Sequence, residues 1–265
     1  MTAWHDATVV ISGEAQSLVQ SVDIQQDTGL DLVYLNGNFY DLNKDSNIVI
    51  GITYLTNGLC QHPTGYPFHN TTGLIEIYRK DTGRVKLSGC VLVGLEGQID
   101  ANSSYYGSCT VRYRTLGMEV DYTQTGLFVS TGNVTGVSPK TGGSKPLGRC
   151  GWLAAAGGHL SSRYSCNIER EYLHEQGRDK PSHIAIKYPI RTISTDTFLV
   201  ASGTDLKDLK AKINCFSIPS GVSRDLKNVS LDRYEVRSPY TTVTYDYEST
   251  DDYGLQRIIS LPTGS

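Results

Sequence analysis

The sequence predicts an all-β protein, an antiparallel β-barrel or sandwich with long loops and at most one or two short helices. Three observations carry this expectation. Turn-forming residues recur every dozen residues or so, and the segments between them alternate apolar and polar positions. Gly (27) and Tyr (17) are abundant in a chain only 38% apolar, which suits many strands, many turns and half-wet surfaces. Helical periodicity is confined to two short stretches, too little to cover both faces of a parallel sheet.

Two hairpins are the most legible elements. Leu30 to Leu35 and Asn38 to Tyr40 flank Asn36-Gly37, a pair that supplies both positive-φ positions of a type I′ turn. Leu74 to Arg79 and Arg84 to Leu87 flank Lys80-Asp81-Thr82-Gly83, with Gly83 placed for a left-handed bulge. Asn57-Gly58 closes a strand from Asn47 to Leu55. Period-two patterning marks further strands at Val9 to Ser12, Cys109 to Leu116, Met118 to Thr123, Ile184 to Tyr188, Thr197 to Ala201, Tyr234 to Val236 and Leu255 to Leu261. Thr241 to Tyr247 alternates most cleanly, so one of its faces is wet and its sheet antiparallel.

Of the two helical stretches, one is capped by Thr204 and runs to Ile213, with Leu206, Leu209 and Ile213 on one side. The other is Ile168 to Glu175. Residues 132–151, rich in Gly, Lys, Thr, Ser and Pro, read as a long flexible loop inside a single domain spanning 1–265. The opening Met1-Thr2-Ala3-Trp4-His5-Asp6 has no basic region followed by an apolar stretch and so no signal peptide, which fits either an intracellularly made protein or a domain excised from a longer chain. Strand-like sequence starting at Thr8 and the linker-like Leu261 to Ser265 favour excision.

Charge and cysteine usage narrow the function classes. A net charge of −3 without a basic cluster argues against a nucleic-acid partner. Apolar runs such as Val91 to Leu95 and Leu153 to Ala156 are too short to span a bilayer, so no membrane insertion is expected. Cysteines 60, 90, 109, 150, 166 and 215 form no C-x-x-C pair. Their even number permits three disulfides, but Cys90 and Cys109 lie in apolar strand-like segments, where a free thiol serves as a small hydrophobe.

No catalytic, cofactor or metal motif is formed. Gly136 to Lys145 lacks phosphate-loop spacing, and Pro146 blocks the helix that a phosphate loop must open. Cys60, His62 and His69 lack a fourth ligand and zinc-type pairing. His159 beside Ser161-Ser162 is adjacency without triad geometry. Small residues Ala154 to Gly158 mark close backbone packing or a bulge. Paired carboxylates (Asp251 with Asp252, Glu169 with Glu171) sit in polar contexts and read as solvated surface. A non-enzymatic protein without cofactor is the expectation.

Two loop clusters mix aromatic with small polar residues, a composition suited to recognition. The first holds Tyr66, Phe68 and His69, the second Tyr105 and Tyr106. The competing reading is that Tyr66 and Phe68 pin a loop to the core. Sequons at Asn70, Asn102, Asn133 and Asn228 mark surface loops and become glycan acceptors if the chain is secreted.

A β-rich unit of this size, near-neutral and rich in Gly, Tyr and Thr, with hairpins such as Leu30 to Asp41 and Leu74 to Leu87, resembles the capsid spike of astroviruses. The resemblance implies a homodimeric, β-barrel-based spike on the virion surface that engages a host-cell receptor, protein or glycan, and is targeted by antibodies. Three further classes stand beside it. A bacteriophage tail receptor-binding domain shares its logic. A secreted carbohydrate-binding module would carry three disulfides. A β-scaffold glycoside hydrolase would place two carboxylates in a cleft.

Overall fold

A computed structural model describes residues 7–27, 30–35, 38–43, 47–56, 66–79, 83–100, 107–123, 159–176, 181–187, 190–201, 224–234, 240–251 and 255–261. Among these, every regular element is a strand, and every pairing is antiparallel. The strands begin with β1 (Ala7–Ile11), β2 (Glu14–Ala15), β3 (Val19–Asp27), β4 (Leu30–Leu35), β5 (Asn38–Asn43) and β6 (Asn47–Thr56). Next come β7 (Gly73–Arg79), β8 (Gly83–Asp100), β9 (Gly107–Thr115), β10 (Gly117–Asp121) and β11 (His159–Asn167). The last are β12 (Arg170–Leu173), β13 (His183–Ile186), β14 (Ile190–Ala201), β15 (Arg224–Tyr234), β16 (Tyr240–Asp251) and β17 (Ile258–Ser260).

The architecture follows from one long strand. The first half of β8 pairs with β7 and β10, and its second half with β9 and β11. It therefore belongs to two sheets, ordered β2-β1-β7-β8-β10 and β3-β6-β9-β8-β11-β14-β16-β15. The corner lies at Gly89 (φ +64°), where an added Cβ would stand 2.7 Å from Leu116. Glycine alone takes this left-handed backbone without strain. Opposite it, the Thr115 hydroxyl donates to the Ser88 carbonyl at 2.6 Å, and the Leu116 amide donates to the same oxygen at 3.1 Å.

Folded at this corner, the two sheets close on one apolar core. Val9, Ile11, Ile75, Ile77, Val85 and Leu87 come from one sheet. Ile48, Ile50, Ile52, Leu92, Val111 and Tyr113 come from the other. A register shift between Leu92 and Gly94 inserts one extra residue in β8. Leu92 and Leu95, three apart, consequently both join the core, which strict alternation forbids. The sheet path ends at β15 on one side and β3 on the other, so the fold is a sandwich and not a closed barrel.

A third layer lies on the outer face. Strands β12, β13 and β17 form a small sheet, and Ile184, Ile259 and Leu261 bury Val91 with support from Val93 and Tyr172. The expected helix over Ile168 to Glu175 is corrected here: the stretch contains β12, whose Arg170 and Tyr172 pair with Ile186 and Ile184. Its inward residues repeat every second position, with Arg170 buried and Tyr172 half-buried between exposed Glu171 and Leu173. Strand geometry thus puts Arg170 and Tyr172 on one face, where a helix would turn them about 200° apart.

Strands β4 and β5 pair from Leu30 with Asn43 to Leu35 with Asn38, the register expected of a hairpin around Asn36-Gly37; the two turn residues lie outside the described residues. Gly83 has φ +93°, as its place in the second hairpin requires. The stretch 132–151, Gly136 to Lys145, the Thr204 to Ile213 helix, Ala154 to Gly158 and the Asn57-Gly58 turn also lie outside the described residues.

Candidate binding groove

The loop before β7 is built into the core. Tyr66 and Phe68 are 5% and 7% exposed. The Tyr66 hydroxyl lies 3.1 Å from Cys109 Sγ. The Phe68 ring meets Tyr113 edge-on with centroids 5.9 Å apart, and its carbonyl accepts from the Leu92 amide at 2.9 Å. A Cβ on Gly73 would stand 1.8 Å from that ring, so the missing side chain makes room for Phe68. Half-buried His69 holds its Nδ1 2.9 Å from the Tyr66 carbonyl. These contacts pin the loop to the core, and the two rings have little surface left for a ligand. Asn70 Oδ1 accepts from the Gln256 amide at 2.6 Å, so its amide serves as a brace. Tyr105, Tyr106, Asn102, Asn133, Cys60 and His62 lie outside the described residues, and Asn228 falls at a register shift in β15.

Beneath this region the core raises the pKa of its weak acids. Burial pushes the Cys90 thiol up to about 11, and its Sγ donates to the Leu87 carbonyl at 3.2 Å. Burial likewise holds the Tyr54 and Tyr113 phenols well above their ordinary value. Cys90 is a buried thiol, as its apolar strand suggested. Cys109 is disulfide-bonded, which corrects the expectation that it acts only as a small hydrophobe. With Cys90 a thiol, the six cysteines cannot form three disulfides.

The same loop supports a groove on the outer face. Arg170, 7% exposed, enters β12 and reaches across the layers. Its Nε donates to the Leu92 carbonyl at 2.7 Å, and its Nη2 donates to the His69 carbonyl at 2.6 Å. Its own carbonyl accepts from Arg114 Nη1 at 3.4 Å. The Arg114 guanidinium in turn sits 4.2 Å over the Tyr172 ring. Cation, ring and backbone are thereby held in one arrangement by three packed elements.

Around this stack opens a groove of about 670 Å³. Its floor is the outer face of the large sheet, where Val49 and Arg114 are cross-strand partners and Val93 emerges at the bulge. Its wall is the segment Asn167 to Tyr172, with Lys187 beyond. Lys187 Nζ lies 3.7 Å from a Glu169 oxygen, and their backbones bond at 2.9 Å. Glu169 and Glu171, noted in the sequence as paired carboxylates, are both exposed and both line the groove.

Sequence reasoning did not single out Arg114, Asn167, Tyr172 or Lys187. The available signal was the run Val111 to Thr115, where Val111, Tyr113 and Thr115 face the core and Arg112 and Arg114 must face out. No family model matches this chain, and no curated protein matches it in sequence.

Proposed function

We propose that this chain is a non-enzymatic attachment module, a surface-exposed viral capsid spike domain that binds a host-cell receptor, carries antibody epitopes and acts as a homodimer. The binding role rests on one observation, the Arg114–Tyr172 stack held rigidly in an open groove on the outer face of a sheet. Sites on strands keep their geometry better than sites on loops, and an aromatic ring beside charged and amide groups suits a polar ligand such as a glycan. The virion-surface location rests on the resemblance in size, composition and hairpins.

The test pairs light scattering with binding of the labelled domain to receptor-positive cells. A symmetric dimer that binds cells, with binding weakened by Tyr172→Ala, is the expected result. A strict monomer that binds no cell surface overturns the proposal.

A second reading, a glycoside hydrolase, is favoured by Glu169 and Glu171 sharing the groove. It requires hydrolysis of a glycoside substrate that Glu171→Gln abolishes, and that result would displace the attachment reading.

A further inference from the structure

We infer that the groove receives an acidic glycan, with the carboxylate of one sugar residue docking on Arg114; this rests on the attachment reading above. The cations on this face differ in their partners. Arg112 lies two residues from Arg114 on the same face of β9 and pairs with Glu96. Lys187, across the groove, pairs with Glu169. Arg114 has a carbonyl at 3.4 Å and the Tyr172 ring at 4.2 Å, and no carboxylate partner among the described residues. Its Nη1 contact is long and its Nη2 makes no hydrogen bond among them. A fork-shaped donor therefore lines the groove with capacity for a planar anion.

The surroundings select the kind of anion. Arg114 is half-buried and flanked by Val49 and Val93, so a charge-assisted bond there is stronger than in water. A guanidinium matches a carboxylate in two parallel bonds. A doubly charged phosphate would also face Glu171, which is exposed and has no cationic partner among the described residues. A singly charged carboxylate tolerates that neighbour better. Glu171 and Asn167 then suit hydroxyls, as acceptor and as mixed donor and acceptor. A carboxylate joined to a polyhydroxylated ring meets all of these demands.

The carboxylate has two natural sources, a terminal nonulosonic acid or an internal uronic acid. Titrating the whole chain with 3′-sialyllactose, an unsulfated hyaluronan tetrasaccharide and neutral lactose separates them. At least one acidic ligand should bind about tenfold or more tightly than lactose, with affinity falling as salt rises. Arg114→Gln should remove that preference, bringing the affinity for the acidic ligands down to that for lactose, and Arg114→Lys should keep only part of it. Should Arg114→Gln fail to fold, Arg114→Lys with an unaltered melting profile decides, because it retains charge but loses the fork. Lactose binding as tightly as both acids overturns the inference. So does an acidic preference that survives a folded Arg114 variant. Binding of cells with no glycan bound in the groove also overturns it, yet leaves the attachment reading standing; loss of cell binding altogether removes both.

Discussion

Phe68 shows how a residue that resembles a binding anchor becomes a packing one. Its ring fills the space that Gly73 leaves open and meets Tyr113, at φ +61° in its own backbone. Gly73→Ala should cost about 1–3 kcal/mol in a denaturant titration, because the ring must leave its rotamer or the strand must shift. In a Phe68→Ala background most of that cost should vanish, since the clash partner is gone. The weak acids of the core make a prediction of a different kind. The folded-state pKa of Cys90, about 11, lies above its ordinary 9.0. The fold thus favours the neutral thiol, and its contribution is full below pH 9.0 and lost as pH rises through about 11. The denaturation midpoint should fall from pH 9.0 upward, and Cys90→Ala should flatten the first part of that fall, before Tyr54 and Tyr113 of the unfolded chain begin to titrate near 10.0.

Strand β8 is the element on which the architecture depends, and it was only partly legible. Arg84 to Leu87 alternates, so its first half was expected; beyond it the corner at Gly89 and the extra residue at Val93 break period two. An apolar run whose inward positions are Leu87, Cys90, Leu92 and Leu95, spaced three, two and three apart, has no single period to detect. The helical reading of Ile168 to Glu175 failed for a related reason. Four residues of β12 are too few for alternation to be distinguished from a helix turn, and the partner strand that decides the matter lies at Ile184. By contrast the hairpins at 30–43 and 74–87 carry their register in local turn chemistry and were legible. At the corner, Gly89→Ala should destabilise by about 1–3 kcal/mol, from positive φ together with the Leu116 contact. Adding Leu116→Ala should recover the steric share only, as thermal melts of the single and double variants would reveal.

For the whole molecule, the all-β class follows from local sequence, whereas the groove does not. Val49, Val93, Arg114, Asn167 to Tyr172 and Lys187 converge only after four strands have been registered and a third layer laid across them. Outward positions of alternating strands can be inferred from sequence, but which of them become neighbours depends on long-range pairing. The loop cluster at 66–69 supports the site from below, through the His69 carbonyl, without forming its surface. Hydrogen–deuterium exchange of the whole chain, free and mixed with receptor-bearing vesicles, tests this arrangement most directly. Binding should protect peptides spanning 112–116 and 167–174 and leave the 66–72 loop, pinned by buried Tyr66 and Phe68, unchanged. Protection confined to other surfaces, or none at any vesicle concentration, would contradict an attachment role for the groove.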